Sequence, residues 1–325
     1  MHCAPARITE VQRSGVVAND GRDERLFALG GTWFKLPAEA RPTVGDWVLL
    51  DDTRDKVVRL LDRKSVFKRG AAGSKVDVQL IAANVDTLFI VTSCNDDFNE
   101  SRLERYLALA VEARVEAVIV LTKADLTDEA DGYRDRVRAV GAQLPVEVVN
   151  ACDLSTLRGV AGWAGKGMTV ALVGSSGVGK STIVNSLTGQ ALLETGAIRE
   201  HDAKGRHTTS FRSLHRLPGG GLLLDIPGMR ELKVAQLDDA LTEVFADVVS
   251  LAARCRFRDC EHNDEPGCAV QTAIGNGSLE ERRLRNYRKL LREEARHTMS
   301  LADQRHRDKK FARVVQQNIE LKRRH

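Results

Sequence analysis

Along the first seventy residues, apolar positions come in short or alternating runs broken by Gly, Pro and Asp, as in "LFALGGTWFKL" (26–36), "GDWVLLDD" (45–52) and "KVVRLLDRKSVFKRG" (56–70). Runs of that length and alternation predict several short strands. From about residue 77 the pattern changes. "VDTLFIVTS" (85–93) and "VEAVIVLT" (115–122) are continuous apolar blocks suited to strands buried on both faces. Between them, "SRLERYLALAVEA" repeats Leu103, Leu107 and Val111 at four-residue spacing, which predicts a helix, with Ser101 and Glu104 read as its capping box. "VEVVN" (146–150), "MTVALVG" (168–174) and "GLLLDIPG" (221–228) add further strands with helical stretches between several of them. Strand and helix alternating in this way predict a parallel sheet covered by helices on both faces. Beyond residue 236 the chain reads as helical and polar, and no internal repeat is visible.

The expected organisation is therefore an α/β multidomain protein. Residues 1–70 would form a small barrel such as an OB-fold, a scaffold that often binds RNA. Residues 71–236 would form the α/β domain, and residues 237–325 a helical domain with a basic tail. Near the first junction, Arg63, Lys64, Lys68 and Arg69 surround Phe67. That cluster either contacts RNA or joins two domains, and the joining role is the better fit.

Composition adds bounds rather than a function. The 325 residues are 42% hydrophobic and 29% charged, the profile of a globular chain of two or three domains. No apolar run reaches the ~18 residues of a membrane span, and "MHCAPARITE" lacks an apolar signal core. A cytoplasmic protein without a membrane partner is expected. The net charge of +4 divides unevenly: residues 281–325 hold 15 Lys and Arg against 6 Asp and Glu, or +9, leaving −5 elsewhere. A basic end of this kind suits a polyanionic partner, although a solvated helix face gives the same pattern.

Chemistry enters at "GSSGVGKS". Gly174, Gly179, Lys180 and Ser181 satisfy the phosphate-loop spacing, after an apolar strand and before the helical "STIVNSLTG". Backbone N–H groups from Gly174 through Ser175, Ser176, Gly177, Val178 and Gly179 would turn inward around phosphate oxygens. The start of the following helix, with Thr182, would add positive potential. Lys180 is expected at the β- and γ-phosphates and Ser181 on Mg²⁺. Asp225, ending "LLLD", is a second Mg²⁺ candidate, and Gly228 can offer its N–H to the γ-phosphate without a side chain intervening.

A base reader lies upstream. "LTKADL" (121–126) closes the strand "AVIVL", at the sheet edge where ligands bind. Asp125 can accept from the N1–H and exocyclic amine of guanine, a donor pair that adenine lacks. Thr122 precedes it, and Lys123 can lay its stem over the base. In an ordinary GTPase the phosphate loop comes first, so here the order is inverted. Chain ends that lie close can be joined and the chain cut elsewhere. The expectation is a circularly permuted GTPase binding GTP and GDP, with backbone near Asn150 and Ala151 supplying the last base contact. Met229 follows D-x-x-G where many GTPases use a water-orienting Gln. Intrinsic hydrolysis is therefore expected to be slow unless another group serves. In "GRHTT", Thr208 or Thr209 is the candidate to close over Mg²⁺.

Downstream, Cys255, Cys260, His262 and Cys268 form C-x₄-C-x-H-x₅-C. Three thiolates and an imidazole complete a tetrahedral Zn²⁺ shell with no open position, which implies one structural ion. The stretch "SLEERRLRNYRKLLREEARH" then predicts a basic helix with Leu284, Tyr287, Leu290 and Leu291 on its apolar side.

Together "IAANVD", "FNESRLERYL", "GSSGVGKS", "GRHTTS", "DIPGMRE" and the cysteine cluster resemble the circularly permuted ribosome small subunit-dependent GTPase A family over most of the chain. The resemblance implies slow GTP hydrolysis, stimulated by the small ribosomal subunit and its rRNA during late maturation, by a protein expected to be monomeric. It marks Thr209 as the Mg²⁺ threonine and His207 as similar to the family's proposed catalytic histidine. Two positions depart from the family pattern: Thr122 stands for its usual Asn and Asn150 for its usual Ser. The competing reading is a nucleotide-gated RNA-binding assembly factor with negligible turnover; a phosphate-loop kinase fits less well because of the guanine reader.

Overall fold

The computed structural model describes residues 3–12, 14–70, 78–189, 213–225 and 238–298. At the N-terminus, five strands form one antiparallel sheet: β1 (Ala4–Val11), β2 (Gly15–Asn19), β3 (Glu24–Ala28), β4 (Trp47–Leu50) and β5 (Val57–Leu60), in the order β3-β2-β1-β4-β5. A short helix, α1 (Gly31–Lys35), lies between β3 and β4. Period-two pairs point inward, with Ala6 and Ile8, Val16 and Ala18, and Val48 and Leu50 meeting around Phe27. Arg54 pairs with Asp20 at 2.8 Å while Arg25 donates to the Arg54 carbonyl at 2.8 Å, drawing the two ends of the sheet together. The result is the OB-like barrel.

The chain then leaves the barrel. β6 (Val66–Gly70) does not join that sheet but pairs with β7 (Val78–Ala83) as a two-stranded ribbon. Phe67 is buried with Ile81, Val85 and Leu88 in the next core. Its basic neighbours are engaged within the chain: Arg63 forks onto Asp46 at 2.8 Å, Lys64 reaches Asp86 at 2.6 Å, and Lys68 lies 3.5 Å from Glu39. This cluster joins two parts of the chain.

Next comes a six-stranded sheet. Its elements in chain order are β8 (Thr87–Ser93), α2 (Glu100–Ala113), β9 (Glu116–Thr122), α3 (Ala130–Val140), β10 (Val146–Val148), α4 (Arg158–Trp163), β11 (Thr169–Val173), α5 (Lys180–Thr188), β12 (Ser213–Arg216) and β13 (Leu222–Asp225). Every residue of β8 and β11 is buried, as continuous apolar runs require of central parallel strands. One face packs Leu88 and Ile90 against Leu103 and Leu107 of α2 and Val137 of α3. The other packs Phe89 and Val91 against Val160 of α4 and Ile183 of α5.

The spatial order is β10-β9-β8-β11-β13-β12, with only β12 antiparallel to its neighbour. The chain starts in the middle at β8, moves outward to β10, and returns through α4 to lay β11 beside β8. Connections therefore leave in opposite directions from the β8–β11 boundary, the switch point at which such sheets bind ligands. Counted from β11 and continued at β8, the order across the sheet becomes 2-3-1-4-5-6. The sheet is that of a GTPase whose chain has been opened after the third strand and closed between the sixth and the first.

Among the described residues four helices follow: α6 (Asp238–Val244), α7 (Ala246–Ala252), α8 (Ala269–Gly275) and α9 (Glu281–Thr298). α9 buries Leu284 and Leu290, and its Tyr287 ring sits 5.2 Å from that of Phe245. Two of its arginines turn toward α2, Arg283 buried and Arg282 partly exposed. Arg282 and Arg283 each donate to Glu104 Oε1 at 3.0 Å, Asn286 donates to Glu104 Oε2, and Arg283 also pairs with Asp247. Glu104 is fully buried. The capping box expected of Ser101 and Glu104 is thus replaced: Asn99 caps α2, its side chain accepting from the Arg102 N–H at 3.0 Å, and Glu104 anchors α9. No helix among the described residues is long and apolar enough to cross a membrane.

Candidate nucleotide site and metal centre

β11 ends at a loop whose shape favours glycine at three positions. Gly174, Gly177 and Gly179 have φ of +147°, +73° and +93°, a region L side chains rarely adopt. A Cβ on Gly174 would also come within 2.2 Å of the Val91 carbonyl oxygen. The loop runs into α5 at Lys180, whose ammonium donates to the Gly174 carbonyl at 2.8 Å and to that of Ser175. Ser176 and Gly177 are exposed at the rim, while Ser181 and Thr182 occupy the first turn of α5. A helix start that follows a glycine-rich turn, with the Lys180 ammonium held against two of its carbonyls, can hold a polyphosphate.

The predicted base reader is at the same edge of the sheet. Thr122 ends β9, fully buried, and its hydroxyl donates to the Val178 carbonyl of the phosphate loop at 2.6 Å. Lys123 takes a left-handed conformation at φ +58°, and Asp125 is exposed in the short turn after it. After β10, the Asn150 side chain accepts from Cys152 N–H at 2.9 Å, and its carbonyl accepts from the Thr156 hydroxyl at 2.9 Å. Ser186 of α5 donates to the Ala151 carbonyl at 2.9 Å. At the carboxyl ends of β9, β10 and β11, Thr122 is therefore tied to the phosphate loop at Val178 and Ala151 to α5 at Ser186.

Asp225 ends β13, the strand beside β11. Gly228, Met229, His207, Thr208 and Thr209 lie outside the described residues.

Motif reading missed one residue at this edge. Arg102 Nη1 donates to Ser175 Oγ and pairs with Asp97 at 3.0 Å. Its sequence signal is a cation in the first turn of a helix, where the helix dipole favours an anion.

In the C-terminal part, the ligand atoms of Cys255, Cys260, His262 and Cys268 all lie within 4.8 Å of one another. Zinc bonded at about 2.3 Å to sulfur and about 2.0–2.1 Å to nitrogen in a tetrahedron would place S···S about 3.8 Å and S···N about 3.6 Å apart. Cys255 and Cys268 sulfurs are 3.9 Å apart, and His262 Nδ1 is 3.5 Å from the first and 3.6 Å from the second. Burial and the nearby Arg288 lower the His262 pKa, favouring the neutral imidazole that a metal requires. Gln271 donates through its N–H to Cys268 Sγ at 3.4 Å and through its side chain to the His262 carbonyl, bracing two ligands. The donor set fits one structural Zn²⁺.

Comparison with known proteins gives the same picture. The RsgA GTPase family profile matches residues 60–235, and a profile described as 50S ribosome-binding GTPase matches residues 169–322. The chain is 54% identical over 277 residues to "Small ribosomal subunit biogenesis GTPase RsgA 2" of Vibrio vulnificus, covering 85% of this chain and 79% of that one. It is 49% identical over 300 residues to "Small ribosomal subunit biogenesis GTPase RsgA" of Mesorhizobium japonicum, covering 90% and 84%. Among solved structures, YjeQ from Thermotoga maritima superposes with a TM-score of 0.65 at 24% identity, over 90% of this chain and 98% of that one. YloQ, described as a circularly permuted GTPase, gives 0.61 at 21% identity, over 92% and 97%. Those structural likenesses establish the permuted fold, and the sequence matches establish the family: the chain belongs to the RsgA GTPases.

Proposed function

We propose that this protein hydrolyses GTP at the carboxyl edge of the six-stranded sheet and does so on the maturing small ribosomal subunit, which stimulates it. The observation that carries the reading is the hydrogen-bonded meeting of base reader and phosphate loop at the sheet's switch point, Thr122 on Val178. The names of its relatives supply the ribosomal setting.

In this reading Asp125 selects guanine, Lys123 covers the base, and backbone at Asn150 and Ala151 completes the base site. The loop from Gly174 to Thr182 wraps the phosphates. Lys180 offsets negative charge between the β- and γ-phosphates, where the bond breaks as water attacks. Ser181, Thr209 and Asp225 would hold Mg²⁺, which supplies further charge neutralisation when bound. Gly228 senses the γ-phosphate. His207 orients the water, the role that Met229 cannot fill.

The units are residues 1–70, whose last strand β6 packs with the core of the next unit, 71–236 and 237–325, acting as a monomer in the cytoplasm without a membrane partner. Exposed Arg285, Lys289 and Arg292 form a stripe along α9 at helical spacing. That stripe faces rRNA phosphates, so binding weakens as salt rises.

The test is turnover of GTP and ATP with and without small subunits, at low and high salt. GTP-specific, subunit-stimulated and salt-sensitive hydrolysis is expected. Nucleotide binding with no stimulated turnover would instead identify a nucleotide-gated RNA-binding factor.

A further inference from the structure

Beside the phosphate loop is an open cleft of about 440 Å³ lined by Asp97, Arg102, Arg105, Tyr106, Ser175 and Ser176. Arg102 is the third residue of α2, so its cation opposes the helix dipole. Its ion pair with Asp97 leaves both side chains more than a third exposed, at 36% and 39%. Exposed pairs of this kind add little to stability. A cation placed against a local rule without a stability return marks a functional position.

What Arg102 does hold is the loop. Its Nη1 donates to Ser175 Oγ, while Lys180 Nζ donates to the Ser175 carbonyl. Two cations therefore grip one loop residue, through its side chain and through its backbone. With Met229 in place of a water-orienting Gln, hydrolysis relies heavily on loop donors already aimed at the charge that develops on the phosphates.

We infer that Arg102 is a positioning residue for GTP hydrolysis. Acting through Ser175, it fixes the first turn of the phosphate loop and with it the aim of Lys180. α2 is itself held by α9, through Glu104 and through the Arg105–Glu293 ion pair, so the C-terminal helices set where Arg102 stands.

The inference rests on the GTPase reading, and one set of assays separates the two. Steady-state GTP turnover, with and without small subunits, is compared for the parent, Arg102→Ala, Arg102→Lys, Ser175→Ala and the Arg102→Ala/Ser175→Ala double variant. Arg102→Ala is expected to lower kcat about tenfold or more, with KM and GDP affinity changed less than about threefold. Ser175→Ala should reproduce that loss, and the double variant should be no worse than the worse single one, because both break one contact. Arg102→Lys should recover only part of kcat, since a flexible ammonium lacks the fixed planar geometry that sets Nη1 against both Asp97 and Ser175. Parent-like kcat in Arg102→Ala, multiplicative losses in the double variant, or a rise in KM alone would each overturn the inference. Should Arg102→Ala fail to fold, parent-like kcat in Ser175→Ala overturns it. A parent that does not turn over GTP at all defeats the functional reading instead.

Discussion

The hydroxyl of Thr122 donates to the carbonyl of Val178 at 2.6 Å, linking the end of β9 to the loop that follows β11. Both residues are buried. One short side chain thus holds the predicted base reader against the predicted phosphate loop, two elements that lie 56 residues apart in the chain. Replacing Thr122 by Val keeps the shape and removes the donor, leaving a buried carbonyl without this partner. That substitution is expected to cost about 1–3 kcal/mol, shared between folding stability and nucleotide affinity. Thermal unfolding and fluorescent-GDP titration of Thr122→Val read the two parts; no change in either would remove this link from the account.

Glu104 gives the second prediction. It is fully buried and receives Arg282, Arg283 and Asn286 from α9. Glu104→Ala leaves Arg283 with Asp247 but strips its buried partner, and breaking such a group is expected to cost about 3–5 kcal/mol. Denaturant unfolding of the variant should show that loss. An unfolding curve matching the parent would mean that α9 is held by its apolar residues alone.

The metal centre gives the third. Elemental analysis should find one zinc per chain, and Cys260→Ser should lower that stoichiometry and destabilise the C-terminal helices. A metal-free protein with parent-like stability would contradict a structural ion.

What could be read from the sequence is what depends on near neighbours. "GSSGVGKS" carries its own glycine conformations, "VDTLFIVTS" its own two-sided burial, and the Cys255–Cys268 run its own ligand spacing. Harder to see were features whose partners are far along the chain. Glu104 reads locally as half of a capping box, because nothing near it announces Arg283, 179 residues later. Val66–Gly70 reads as another barrel strand, yet Phe67 finds a larger core among Ile81, Val85 and Leu88 and pulls the strand out of the barrel. Arg63, Lys64 and Lys68 fit a joining role better than an RNA contact, but their partners Asp46, Asp86 and Glu39 appear only in the fold. Thr122, a departure from the family's usual Asn, shows its use only once Val178 is placed beside it.

The most direct test of the permuted guanine site is a nucleotide swap at Asp125. A carboxylate there accepts from guanine's N1–H and exocyclic amine; an amide would donate instead to the 2-oxo group of xanthine. For Asp125→Asn, hydrolysis of GTP and of xanthosine triphosphate is measured against the parent, with small subunits present. The account predicts GTP turnover at saturating parental concentrations falling at least about a hundredfold, with xanthosine triphosphate hydrolysed in its place. An Asp125→Asn protein that hydrolyses GTP as the parent does would show that "LTKADL" does not read the base.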